Sequence, residues 1–179
     1  MLPPLIILDR DGVINEDSES FIKSPDEFTP IPGSLEAIAK LKKSGAIVAI
    51  ATNQSGLARG LFTTTILQQM HQKLATLLAK QNAKIDYVAI FPHGPNDHCN
   101  CRKPKPGLLT EICQKFNITP QSAIFIGDSF RDYEAAKTIN MPFALVLSGK
   151  GSKTLAEHPL LQQEVSIYQD LEAFTKQIL

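Results

Sequence analysis

An α/β fold, a Rossmann-like three-layer sandwich around a mainly parallel central sheet, is what this sequence predicts. Two patterns carry that reading. Short apolar runs rich in β-branched and aromatic residues recur along the chain, and helical patterns lie between them. Such runs suit strands buried on both faces, and strands alternating with helices pair in parallel through right-handed crossovers.

The elements follow in order. "LIIL" (5–8) predicts the first strand. "GSLEAIAKLKKSG" (33–45) predicts a helix, with a Ser-x-Glu start, apolar residues spaced by three and four, and a stop at Gly45. "AIVAIA" (46–51) is the next strand. "TTTILQQMHQKLATLLAKQ" (63–81) is a helix with Ile66, Met70, Leu74, Leu77 and Leu78 on one stripe. "YVAIF" (87–91) is a strand, "GLLTEICQKFNI" (107–118) a helix behind Pro106, and "AIFIG" (123–127) a strand. "RDYEAAKTIN" (131–140) is a helix ended by Met141-Pro142, and "FALVL" (143–147) is a strand. Cys113 falls on the apolar stripe of its helix and reads as a buried thiol. Residues 16–32 and the loop "PHGPNDHCNCRKPKPG" (92–107) fit neither period. Long loops in a compact domain usually shape a site.

The 179 residues are expected to form one domain, 1–179, with 43% hydrophobic and 20% charged residues. Lys plus Arg (18) balance Asp plus Glu (18), so no global field points to nucleic acid or an anionic membrane. The amino terminus has no basic n-region, and no apolar stretch approaches the ~20 residues of a membrane helix. Three cysteines, two of them in "CNC", argue against a disulfide framework and for metal binding in a reducing compartment. A cytoplasmic monomer with no nucleic-acid or membrane partner is expected.

In open α/β sheets ligands bind beyond the carboxyl ends of the strands. Asp9 and Asp11 follow the first apolar run, Thr52, Asn53, Gln54 and Ser55 the second, and Asp128, Ser129 and Asp132 the fourth; the loop after the third ends in Arg102 and Lys103. Alone, each piece has a plain reading: a strand-end turn, a helix N-cap, a solvated basic loop. Together they offer oxygen ligands for Mg²⁺, from Asp9, Asp128 and a backbone carbonyl at Asp11, with Thr52, amides and Lys103 for phosphoryl oxygens.

"LDRDGVIN", "ATNQSG", "CRKPKPG" and "IGDSFRDYEAA" resemble the four motifs of the haloacid dehalogenase superfamily, in order. "TNQSGLARG", "SPDEFTPIPGSLEAI", "PHGPND" and "LSGKG" are similar to its heptose-bisphosphate phosphatase branch. The resemblance covers Leu5 to about Gly151 and implies an HAD-like fold without a large cap domain. It implies removal of the 7-phosphate of D-glycero-D-manno-heptose 1,7-bisphosphate, in heptose precursor synthesis for lipopolysaccharide or surface glycans. Asp9 takes the place of the nucleophile, Asp11 of the general acid–base with a carboxyl raised by crowding, and Thr52 and Lys103 of the phosphoryl stabilisers. Asp128 takes that of the Mg²⁺ ligand, with Asp132 supporting it from one helical turn away. Substrate contacts are implied for Asp17, Ser18, Glu19, Ser20, Arg59 and Arg102, beside those of Asn53, Gln54, Ser55 and Ser129.

The branch also carries a structural zinc loop, here within 91–103. His93, Cys99 and Cys101 fill three ligand places, but Phe91 stands where a ligand cysteine belongs, leaving His98 or water as the fourth ligand. Phe91 is expected to pack beneath that zinc-bound loop as an apolar anchor; the other reading is a loop with incidental Cys and His, held by packing without a metal. A histidinol-phosphate phosphatase of the same superfamily and a non-catalytic phosphoacceptor domain are the competing functions.

Overall fold

The computed structural model describes residues 2–92 and 102–179. The expected zinc ligands His93, His98, Cys99 and Cys101 lie outside the described residues. Six strands run Leu5–Leu8 (β1), Ile47–Asn53 (β2), Tyr87–Phe91 (β3), Ala123–Gly127 (β4), Phe143–Val146 (β5) and Ser166–Tyr168 (β6). They form one sheet in the order β3-β2-β1-β4-β5-β6, and every neighbouring pair is parallel. The chain builds outward from β1 in one direction and then, from β4, in the other. The switch point therefore lies between β1 and β4.

The period of two sorts β1 between two cores. Ile6 and Leu8 pack on one face with Leu41, Val48, Ile50 and Met70, while Leu5 and Ile7 pack on the other with Leu109, Ile112 and Phe125. Helices Ser34–Lys43 (α1), Thr64–Ala79 (α2) and Leu171–Ile178 (α7) cover the first face. Gly107–Phe116 (α3), Phe130–Thr138 (α4) and Leu161–Glu164 (α6) contribute to the second. The expected three-layer sandwich is the observed one. Residues 9–33 hold no helix and no strand beyond isolated bridges, so nothing the size of a cap is inserted there.

Two details differ from the sequence reading. The α2 stripe buries Leu67, Met70, Leu74 and Leu78, leaving Ile66 and Leu77 half-buried at its edges. Ser34 does not cap α1; its hydroxyl donates to the Ile14 carbonyl at 2.7 Å, and Gly33, at φ 82°, occupies the cap. Beyond β5 the sequence predicts no elements. Gly151–Glu157 (α5), α6, β6 and α7 complete the sheet's far edge there, with Asp170 accepting from Ala173 N–H to start α7. Cys113 is buried as expected, in the same core as the fully buried Phe91. Among the described residues, no helix is long and apolar enough to cross a membrane.

Candidate active site

Asp9 leaves β1 with its N–H still paired to the Ile126 carbonyl of β4, which sets its side chain at the switch point. One strand over, Asp128 leaves β4. The ligand-capable oxygens of Asp9, Asp128 and Asp132 all lie within 4.8 Å of one another. Burial, opposed by Lys103 but reinforced by Asp132, pushes the Asp9 carboxyl up to about 7. Burial together with Asp9 and Asp132 raises Asp128 well above the carboxylate range, against a 2.8 Å bond from the Lys150 N–H. Carboxylates crowded this closely suit a hard divalent cation, which restores the charge balance that burial disturbs. The backbone leaves room for no more: a Cβ on Gly12, at φ +86°, would stand 2.0 Å from Asp128 Oδ2.

Lys103 closes the cluster from the other side. Its Nζ lies 2.8 Å from Asp9 Oδ1 and 2.7 Å from Asp132 Oδ1, and donates to the Ala51 carbonyl at 3.1 Å. Burial disfavours its charge, but Asp132 and Asp9 outweigh that and raise its pKa. Asn53 positions it: the Asn53 amide exchanges two 3.3 Å bonds with the Lys103 backbone N–H and carbonyl. Asp132 does more than face Asp9, Asp128 and Lys103. It also forms a capping box with Ser129, whose hydroxyl donates to Asp132 Oδ2 at 2.9 Å.

Asp11 corrects one expectation. It does not sit among the crowded carboxylates. Its Oδ1 accepts from Arg10 and from Asn15 Nδ2, and its Oδ2 from Gln54 Nε2 at 3.1 Å. Burial would raise its carboxyl, but the Arg10 guanidinium and these bonds outweigh burial and hold it below the usual value.

These groups open into a cavity of about 430 Å³. Of the expected substrate contacts, Asp17, Ser18 and Glu19 line one wall, Asn53, Gln54, Ser55 and Arg59 another, and Arg102, Lys103 and Ser129 a third. Thr52 and Ser20 are outside the lining. Thr52 is buried, its hydroxyl accepting from Gln54 Nε2 at 2.9 Å. Ser20 is exposed, its carbonyl accepting from Lys23 Nζ. Burial first, then Arg131 and Arg59, lower the Arg102 pKa, so three guanidinium groups bear on one another at the rim.

A model of the haloacid dehalogenase-like hydrolases matches residues 6–140, which carry all of the carboxylates above and Lys103. The chain belongs to that family. A Pseudomonas aeruginosa protein named D-glycero-beta-D-manno-heptose-1,7-bisphosphate 7-phosphatase is 46% identical over 175 residues, 98% of this chain and 97% of the relative. A Neisseria meningitidis protein of the same name is 44% identical over 176 residues, covering 98% and 94%. The crystal structure of the D,D-heptose 1,7-bisphosphate phosphatase of Bordetella bronchiseptica, complexed with magnesium and phosphate, superposes with a TM-score of 0.94. It is 45% identical and covers 97% of each chain.

Three features of this haloacid dehalogenase-like site escaped the sequence reading. Arg131 lines the cavity from the first turn of α4, inside a motif read for Asp128, Ser129 and Asp132. Lys150 reaches it from beyond β5, and its Nζ lies 3.4 Å from Asp17 Oδ2. Extending the strand-end rule to "FALVL" would have found it. Arg10 left no such signal, because the Met70 and His71 contacts on its far side come from helix α2.

Proposed function

We propose that this chain is a Mg²⁺-dependent phosphatase that removes the 7-phosphate of D-glycero-D-manno-heptose 1,7-bisphosphate. The observation that carries the reading is the cluster of Asp9, Asp128, Asp132 and Lys103 at the β1–β4 switch point. The names of the relatives support the sugar and favour it over the histidinol-phosphate alternative.

Asp9 is the nucleophile. One of its oxygens attacks the phosphorus, the bond from phosphorus to O7 breaks, and the leaving oxygen takes a proton from Asp11. The Asp11 carboxylate then takes a proton from water. That water attacks the aspartyl-phosphate, and the bond from phosphorus to Asp9 breaks to release inorganic phosphate. Arg10 favours the ionised Asp11 of the second step. For the first, the substrate's own negative charge beside Asp11 pushes its carboxyl back up. Lys103 and Thr52 stabilise phosphoryl oxygens. Mg²⁺, held by Asp9, Asp128 and the Asp11 backbone carbonyl, supplies charge neutralisation when bound.

Asp17, Ser18, Glu19, Asn53, Gln54, Ser55, Arg59, Arg102 and Ser129 contact the substrate, with Arg102 reading the distal phosphate through its planar fork; Ser20, outside the cavity lining, is left out of the set. We also propose zinc bound by His93, Cys99 and Cys101, a reading supported by their sequence alone. A single domain, a monomer and a cytoplasmic role in lipopolysaccharide or surface-glycan precursor supply complete it. No nucleic-acid or membrane partner is proposed, since the net charge is zero. The test is phosphate release from heptose 1,7-bisphosphate with Mg²⁺, the product identified by phosphorus NMR. Loss of the 1-phosphate instead, or stable phosphorylation without turnover, would overturn the assignment.

A further inference from the structure

The loop after β1 buries an arginine between its two aspartates. Arg10 is fully buried, among the largest side chains in the protein without solvent contact. A buried guanidinium needs all its partners supplied. Its fork does not straddle the neighbouring carboxylate as Arg–carboxylate pairs commonly do. Nε and Nη2 instead converge on the same oxygen, Asp11 Oδ1, at 2.9 and 2.7 Å. Asn15 Nδ2 adds a third donor to Oδ1 at 2.8 Å. Among the described residues, Oδ2 accepts from Gln54 at 3.1 Å.

A carboxylate offers about two lone pairs per oxygen. Three N–H donors therefore commit Oδ1 fully, whereas Oδ2 keeps a lone pair. The other side of the guanidinium is held by α2 and by the loop before α1. Arg10 Nη1 lies 3.3 Å from His71 Nε2 and donates to Met70 Sδ at 3.9 Å, and the guanidinium stands 5.6 Å from the centre of the Phe28 ring. Arginine has no acceptor, so His71 Nε2 must accept and its proton sits on Nδ1. Burial and the Arg10 charge agree, drawing the His71 pKa down to about 4.

We propose that Arg10, backed by His71, is a positioning residue for proton transfer: it occupies Asp11 Oδ1 so that Oδ2 alone gives and takes the proton. The proposal rests on the reading of Asp11 as the proton carrier. A neighbour that merely filled the core would leave the division of labour between the two oxygens unaffected.

The test uses the Mg²⁺-loaded enzyme and two substrates. p-Nitrophenolate leaves without a proton, so with an aryl phosphate only the hydrolysis of the aspartyl-phosphate depends on Asp11. Asp11→Asn should show a burst of about one p-nitrophenolate per enzyme and then turnover slowed by about a hundredfold or more. Arg10→Lys keeps the charge but loses the fork, and should show the same burst. On heptose 1,7-bisphosphate its kcat should fall by about a hundredfold with KM within about threefold. Arg10→Lys combined with Asp11→Asn should be no slower than Asp11→Asn alone. If Arg10→Lys does not fold, His71→Gln carries the test, with a burst and a kcat lower by about tenfold expected.

A burst in Asp11→Asn without one in Arg10→Lys or His71→Gln overturns the positioning role alone. No burst in Asp11→Asn overturns the proton-carrier reading and this role with it. Equal loss on both substrates without a burst assigns Arg10 to the core, and also overturns the proposal.

Discussion

Replacing Asp9 by asparagine should change stability in a pH-dependent way that the structure lets one size. In the folded protein the Asp9 carboxyl moves from 3.8 to about 7, chiefly through burial, its side chain being 13% exposed. That difference corresponds to about 4 kcal/mol between its two protonation states. The folded state binds this proton more tightly than the unfolded chain. Its stabilising contribution is thus complete below about pH 3.8 and lost as pH rises through about 7. His71 works in the opposite sense, drawn from 6.5 to about 4, so its contribution is present above about pH 6.5 and lost as pH falls toward 4. The wild-type curve mixes the two, and the difference between wild type and Asp9→Asn removes the His71 part. Relative to wild type, Asp9→Asn should gain about 3 kcal/mol between about pH 5 and about pH 8.5. Relief of Asp128, which Asp9 also crowds, acts in the same direction. Urea unfolding in chelator across that range measures it. Adding Mg²⁺ at the upper end should close the gap by stabilising the wild type. A difference constant within about 0.5 kcal/mol would refute the argument that Asp9 is destabilised by burial.

Asp128→Ala should abolish Mg²⁺ activation without lowering the melting temperature, whereas Asp132→Ala should cost about 1–2 kcal/mol through the lost Asp132 half of the α4 capping box; calorimetry and Mg²⁺ titration separate the two. Gly12→Ala, which forces a Cβ into Asp128 Oδ2 at positive φ, should cost about 2 kcal/mol or more and weaken Mg²⁺ binding, as read by isothermal titration. Arg102→Ala and Arg131→Ala should each raise KM for the bisphosphate about tenfold more than for an aryl phosphate, and equal changes would remove them from distal recognition. Elemental analysis of protein purified without chelator should find zinc, and Cys99→Ser should abolish it; no zinc, with Cys99→Ser fully active, would leave the loop to packing around buried Phe91.

Local chemistry made the frame legible. Strands such as Leu5–Leu8 and Ala123–Gly127 are apolar on both faces, so they read as runs whatever surrounds them. Because sheets of this kind place ligands beyond strand ends, the order of runs and the polar residues after them located Asp9, Asp128 and the Thr52–Ser55 segment. The far edge was not legible. Ser166–Tyr168 is three residues long and partly exposed, too short for any period to register.

The electrostatics belonged to the tertiary structure. Asp9 and Asp11 are near neighbours in sequence and look alike there, yet their carboxyls shift in opposite directions. Part of what separates them is long-range: Asp132 arrives beside Asp9 from the first turn of α4 and adds to the effect of burial, while α2 carries His71 against Arg10, whose guanidinium holds Asp11. Charge interactions act over distances that chain order does not record. Residue types and their order determined which groups could do phosphoryl chemistry; only the packing of α2 and β4 against β1 decided which carboxyl is raised, which is held ionised, and which oxygen stays free.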